Sequence, residues 1–227
     1  MAPETRWPNE PADYRTARAT LLEKEAALRR SIEEVAELRR QLPDGGAAKE
    51  DYRFADAATD AEVRLSALFG AHDTLVLYNL MYGGAQTAPC AMCVSMLDSL
   101  DRNAAQIAGR AALAVVAKAD TAALRALAAE RGWQSLRLLS SAGNSYNRDY
   151  GAETADGGQL PMMHVWRRTA DGVRHFWASE LLDADVPDWR SQPRHVDAIW
   201  PLWNLFDLTP EGRGTDWYPS LAPGTAS

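Results

Sequence analysis

The stretch that decides the fold runs TLVLYNLMYGGAQTAPCAMC, from Thr74 to Cys93. Its first nine residues form an almost continuous apolar run of the length expected for a buried strand. Two glycines follow and end that strand. Cys90 then opens a segment with helical character, which we predict to continue to about Gly109. The pair Cys90 and Cys93 therefore lies where a buried strand passes into a helix.

Further elements follow along the chain in a regular order. We predict strands at Ala112–Ala117 and Leu136–Ser140, a helix at Thr121–Arg131, a hairpin of Met162–Arg168 with Val173–Ser179, and a closing helix at Asp197–Phe206. Strands that alternate with helices favour a parallel sheet, and the late hairpin adds an antiparallel part. A Cys-x-x-Cys at the first strand-to-helix junction, followed by these elements, is the thioredoxin arrangement. We therefore expect an α/β, thioredoxin-like fold with a mixed central sheet.

A long charged helix precedes this core, starting at Asp13 and running to about Pro43. Leucine or valine recurs there every seven residues, at Leu21, Leu28, Val35 and Leu42. One apolar stripe on a charged helix indicates a single packed face. We favour packing against the helix's own domain, and the alternative is a homodimer contact through this helix.

The composition changes at both ends of the chain and sets the predicted domain limits. Residues 1–12 are predicted to be a disordered lead, 13–45 an N-terminal helical extension, 46–213 the thioredoxin-like domain and 214–227 a loose tail.

Charge and hydropathy exclude several classes of function. The formal net charge is −7 and the sequence pI is about 5.1, which argues against a general nucleic-acid binder. No apolar run approaches the roughly 20 residues that span a bilayer. The first residues lack the basic start and apolar run of a secretory signal, so we expect a cytoplasmic protein.

The chain has only two cysteines, three positions apart. In a cytosolic α/β protein this spacing is typical of redox or metal chemistry rather than of a structural disulfide. At the start of a helix, free N–H groups and the helix dipole stabilise a thiolate. We assign Cys90 as the nucleophile and Cys93, one turn later, as the resolving thiol. The expected substrate of this dithiol is a protein or small-molecule disulfide, and we expect no cofactor.

A substrate groove is expected beside the dithiol. In thioredoxin-like proteins a cis-proline faces the dithiol from the start of the corresponding strand, and by topology Pro161 is the candidate. An ordinary trans proline at a strand entry is the alternative. Thr87, three residues before Cys90, is the second groove candidate.

Two other functions remain open. One is a peroxiredoxin-like peroxidase with Cys90 as its peroxidatic thiol: Thr87 and Cys90 match part of the peroxiredoxin pattern Pro-x-x-x-Thr-x-x-Cys, but Gly83 stands where the proline belongs. Thioether and thiolate ligands suit Cu(I), so Cys90, Cys93 and Met92 form a candidate soft-metal site. Gap-filling core methionine is the stronger interpretation of Met92 and its neighbours. The histidines lack the usual pair spacing for zinc, and His164 and His175 are interpreted as ordinary strand residues that could approach each other across the hairpin.

With these residues described, the chain resembles a family of predicted dithiol–disulfide oxidoreductases, the thioredoxin-like domain of unknown function 899. The likeness covers about residues 13 to 213. It rests on Leu21–Glu25, Asp51–Phe54, Leu65 with Leu68–Phe69, Tyr82–Gly83, Cys90–Cys93, Asn144–Gly151 and Trp203–Arg213. The resemblance implies a thioredoxin-like fold and a redox role, without a known substrate. The chain has Ala-Met between its cysteines, where the commoner form has a Cys-Pro-Gly-Cys-like centre.

Overall fold

A computed structural model describes residues 7–180, 199–212 and 218–221. The chain divides between Pro43 and Asp44 into two compact units. The predicted lead over 1–12 and tail over 214–227 lie partly outside the described residues, as does the predicted start of the closing helix at Asp197.

The first unit consists of one long helix, α1, at Ala12–Arg40. Asp13 lies in its first turn and Arg39 and Arg40 in its last, which complements the helix dipole. None of its residues is buried. The predicted helix is confirmed, and the surface that its apolar stripe contacts stays a prediction.

The described residues of the second unit form a seven-stranded sheet and several helices. The strands are β1 (Arg53–Asp56), β2 (Glu62–Arg64), β3 (Thr74–Gly83), β4 (Ala112–Lys118), β5 (Arg137–Ser140), β6 (Met163–Thr169) and β7 (Gly172–Ala178). The helices are α2 (Ala91–Ile107), α3 (Thr121–Arg131), α4 (Tyr146–Asp149) and α5 (Pro201–Phe206), with a 3₁₀ turn at Leu65–Ala67.

The order of strands across the sheet is β2-β1-β5-β4-β3-β6-β7. Strands β3, β4 and β5 are parallel, and the hairpin β6–β7 adds antiparallel to the other side of β3. The hairpin β1–β2 joins antiparallel at β5. Because α2 follows β3, and β3 lies between the parallel strand β4 on one side and the antiparallel hairpin β6–β7 on the other, the fold is thioredoxin-like, as predicted.

Successive residues along the strands belong to two different core clusters, because side chains alternate between the faces of a sheet. Tyr78 and Cys93 lie in the cluster that we call the dithiol-side core, with Val115 and Leu138. Their strand neighbours Leu77, Val116 and Leu139 lie in a second cluster with Tyr52, Tyr146 and Trp166, which we call the tyrosine-side core. The sheet is thus covered by apolar side chains on both faces.

Local capping fixes the helix that separates β4 from β5. The Asp120 carboxylate accepts a hydrogen bond from the backbone N–H of Ala123 at 2.7 Å, and Gly132 ends α3 with φ +68°. The buried Asp101 of α2 accepts from three successive backbone N–H groups, those of Gln134 to Leu136. The connection from α3 to β5 is therefore fastened to α2.

Two helices, α5 and α4, differ from what the sequence predicts. The closing helix begins at Pro201, which suits the first helical turn because its missing N–H is not needed there. The four-residue helix α4 was not predicted, since it is shorter than a period-based analysis can detect. Among the described residues, no helix combines the length and apolar character needed to cross a bilayer.

Candidate active site

The dithiol lies at the junction of β3 and α2, where the sequence places it. Cys90 is the N-cap residue of α2 in an extended conformation, with φ −66° and ψ 122°. Its backbone N–H donates to the carbonyl of Met81 at 3.0 Å, which folds the connecting loop back onto the end of β3. Cys93 follows in the first turn of the helix. The two sulfurs are thereby held at one end of α2.

Cys90 is half-buried, and its pKa is lowered to about 6. The largest cause is the neighbouring Cys93 thiol, followed by the backbone N–H groups of Cys93 and Met92, while burial opposes the shift. These N–H groups belong to the first helical turn, where no carbonyl of the helix accepts from them. The lowered pKa favours the thiolate form of the Cys90 sulfur, which is the form that reacts with disulfides.

Cys93 has the opposite environment. Only 2% of its surface is exposed, and its pKa is raised well above the ordinary value by the Cys90 sulfur first and by burial second. Its Sγ atom lies 3.3 Å from the hydroxyl of Tyr78, a residue of β3 that is itself buried. The two thiols thus differ in burial and in the direction of their pKa shifts, which favour a thiolate at Cys90 and a protonated thiol at Cys93.

Tyr78 was not predicted as a site residue. In the sequence it stands inside an apolar strand, fifteen positions before Cys93, and its residue type there indicates only core packing. Its hydroxyl reaches the sulfur because β3 and the first turn of α2 pack directly on one another.

The other predicted site residues take the following places. Pro161 is half-buried just before β6, and every described peptide bond is trans, including the one before Pro161. Pro161 is therefore the trans proline that was the alternative, and the expected cis-proline is wrong. Thr87 is exposed in the loop between β3 and α2. Met92 is half-buried against the dithiol-side core. A groove role for Pro161 and Thr87 stays a prediction.

The loop before Cys90 also bears on the peroxiredoxin pattern. Gly83 has φ +92°, and a Cβ atom there would lie 2.0 Å from the backbone nitrogen of Ala119. Proline is locked near φ −65°, so it does not fit the backbone conformation at position 83, the last residue of β3. A proline there would require this segment to move away from Ala119, which follows β4.

The histidine pair lies away from the dithiol. His164 Nδ1 and His175 Nε2 approach within 3.1 Å across the β6–β7 hairpin. His164 is buried among aromatic rings that include Tyr146, Tyr150 and Trp166. Burial is the main cause that lowers the pKa of His164 to about 3. In the described part of the chain, no group of three or more His, Cys, Asp or Glu side chains is arranged to hold a metal ion.

Comparison with solved structures finds several that this chain resembles in part, all at low sequence identity. Peroxiredoxin Q of Xanthomonas campestris, in a cysteine-to-serine form, has 14% identity and a TM-score of 0.49 over 72% of this chain and 99% of its own. Peroxidoxin BcpB of Mycobacterium tuberculosis has 17% identity and a TM-score of 0.45 over 71% and 96%. PrxQ of Xylella fastidiosa has 13% identity and a TM-score of 0.48 over 61% and 85%. No curated protein matches the sequence.

Fold and site together define a thioredoxin-like protein with a dithiol at the start of α2. Residues 4–223 match the family described as "Bacterial protein of unknown function (DUF899)". Since the match spans nearly the whole chain, the protein belongs to this family, and the resemblance noted in the sequence is confirmed.

Proposed function

We propose that this protein is a thiol–disulfide oxidoreductase that cycles the Cys90 and Cys93 pair. The observation that carries the proposal is the opposite character of the two thiols. Cys90 is half-exposed with a pKa lowered to about 6, whereas Cys93 is buried behind it with a raised pKa. An attacking thiol with a pKa near the ambient pH, backed by a protonated thiol within reach, suits two-step disulfide exchange.

The proposed reaction consists of two thiol–disulfide exchange steps. The Cys90 thiolate attacks a substrate disulfide, forming a mixed disulfide and releasing one substrate sulfur as thiolate. The Cys93 thiol then loses its proton and attacks Cys90 Sγ, which forms the intramolecular disulfide and releases the second substrate sulfur. The substrate gains two electrons and the protein dithiol loses them, and a reducing thiol reverses both steps.

Two single substitutions test this proposal. Cys90→Ser should abolish reduction of a model disulfide, since the remaining thiol is buried and protonated. Cys93→Ser should still attack but accumulate the mixed disulfide, which mass spectrometry of the intact protein detects as the added mass of the substrate half. Met92→Leu, between the two cysteines, is the matched control and should reduce the substrate normally. Full activity in both serine variants would show that the dithiol is not the working group.

A soft-metal function is the second candidate, favoured by the methionines around the thiols. Met96 and Met163 belong to the same core cluster as Cys93, with Met81, Met92 and Cys90 packed against it. Thioethers and thiolates are Cu(I) ligands. Competition with a Cu(I) chelator, under reducing conditions, tests this function: tight one-to-one binding that Met92→Leu weakens supports it, and weak binding eliminates it.

A further inference from the structure

The buried tyrosine that contacts the resolving thiol is not explained by packing alone. Tyr78 is 2% exposed, and its hydroxyl lies 3.3 Å from Cys93 Sγ. Burying a phenol hydroxyl costs free energy unless it has a hydrogen-bond partner, and here the partner is a sulfur that takes part in the proposed reaction.

The direction of this hydrogen bond follows from the protonation states. In the reduced protein the Cys93 thiol stabilises the Cys90 thiolate, so the Cys93 proton is directed to Cys90. The Tyr78 hydroxyl is then the donor and the Cys93 sulfur the acceptor. Burial raises the pKa of Tyr78 well above its usual value, and the Cys93 sulfur raises it further. Tyr78 therefore stays protonated and can act as a donor but not as a base.

We propose that Tyr78 is a catalytic residue of the resolving step, in which its hydroxyl stabilises negative charge on the Cys93 sulfur. The inference rests on the proposed dithiol function. While Cys90 is a thiolate, it keeps Cys93 protonated. Once Cys90 has formed the mixed disulfide, that negative charge is gone and the Tyr78 hydroxyl remains as a donor to Cys93.

In this step the Cys93 S–H bond breaks and its proton passes to the buffer or to the departing sulfur. Cys93 Sγ forms a bond to Cys90 Sγ, and the bond from Cys90 to the substrate sulfur breaks, with the electron pair leaving on that sulfur. In the reverse direction a reducing thiolate attacks Cys90, and Tyr78 stabilises Cys93 as the leaving thiolate.

The test is a stopped-flow reaction with dithionitrobenzoate, which releases a coloured thiolate at each step. Attack by Cys90 releases the first equivalent and attack by Cys93 the second. Tyr78→Phe should leave the first, second-order phase unchanged and slow the second by roughly 10- to 100-fold, the effect expected for losing a hydrogen bond to a charged group. The pH at which the second phase is half-maximal should also rise, a shift that a purely structural role would not produce.

Tyr146→Phe is the matched control, because it removes another buried phenol hydroxyl from the tyrosine-side core. It should leave both phases unchanged. If Tyr78→Phe does not fold, 3-fluorotyrosine placed at position 78 alone keeps the hydroxyl as a stronger donor and should leave the second phase as fast or make it faster.

The outcomes separate this inference from the proposed function. A second phase of unchanged rate and pH profile in Tyr78→Phe, or a slower one with 3-fluorotyrosine, overturns the role of Tyr78 while leaving the dithiol function intact. Release of only one equivalent by the unmodified protein shows instead that no intramolecular disulfide forms, and the proposed function itself then fails.

Discussion

At the scale of single residues, the chemistry depends on how differently two identical side chains are placed. Cys90 and Cys93 are three positions apart, yet the pKa of Cys90 is lowered and the pKa of Cys93 is raised. No charged side chain is among the causes of the Cys90 shift, which come from the Cys93 thiol and backbone N–H groups. The reactivity of Cys90 is thus set by the start of α2 and by its partner cysteine.

This origin predicts how the reactivity of Cys90 depends on pH. Alkylation of the reduced protein by iodoacetamide should rise with pH and reach half its maximal rate near pH 6, where Cys90 loses its proton. In Cys93→Ala the largest stabilising contact is gone, so the midpoint should move upward toward the ordinary thiol value of about 8.5. Met92→Leu is the control, since Met92 contributes only its backbone N–H. A midpoint unchanged in Cys93→Ala would contradict the assigned cause.

At the scale of elements, the β3–α2 connection determines where the dithiol lies. The strand, the two glycines and the helix could be predicted from the sequence because an apolar run, a breaker and a helix start each have a local signature. The contact between Tyr78 and Cys93 could not, since it depends on the packing of α2 against β3. The same limit applies to Asn147, whose buried side chain links Ser141 to Gln159 and so ties α4 to the segment before β6.

The two glycines of this connection should differ sharply in their tolerance of a side chain. Gly83→Ala combines φ +92° with a Cβ atom 2.0 Å from Ala119 N, so we expect a loss of stability above the roughly 1–3 kcal/mol of backbone strain alone. Gly84→Ala has φ +63°, and its nearest contact is 3.7 Å, so strain of about 1–2 kcal/mol is its main cost. Urea unfolding of both variants measures the difference, and equal losses would show that the close approach at Gly83 is not real.

At the scale of the whole molecule, the sheet separates a reactive core from a structural one. The dithiol-side core contains Cys93 and Tyr78, with Cys90 packed against it. The tyrosine-side core contains Tyr146 and Trp166, whose rings lie beside His164. The mixed sheet was predicted, because strands that alternate with helices favour parallel pairing and the late hairpin adds an antiparallel part. The order of the strands across the sheet was not predicted and comes from the structure. The approach of His164 to His175 across the hairpin was predicted from the sequence. The burial of His164 could not be predicted, because it depends on tertiary packing.

The buried histidine makes the stability of the domain sensitive to acid. The pKa of His164 is lowered by burial from 6.5 to about 3, so the unfolded chain binds a proton in this range that the folded protein does not. The contribution of neutral, buried His164 to the free energy of unfolding is therefore fully present above about pH 6.5. It falls as the pH decreases toward 3, by up to about 1.4 kcal/mol per pH unit. Urea unfolding across this range should show the decline, and His164→Phe should flatten it. An identical slope in that variant would assign the acid sensitivity to other groups.

The central claim, that Cys90 and Cys93 form a working redox pair, is tested most directly by the reduction potential of the unmodified protein. The protein is equilibrated in glutathione buffers of graded ratio, and its free thiols are then alkylated and counted by mass spectrometry. A single two-electron transition between roughly −120 and −300 mV is the predicted result, because working thiol–disulfide enzymes lie in that range. If no intramolecular disulfide forms at any ratio, the pair is not a redox couple and the proposed function is contradicted.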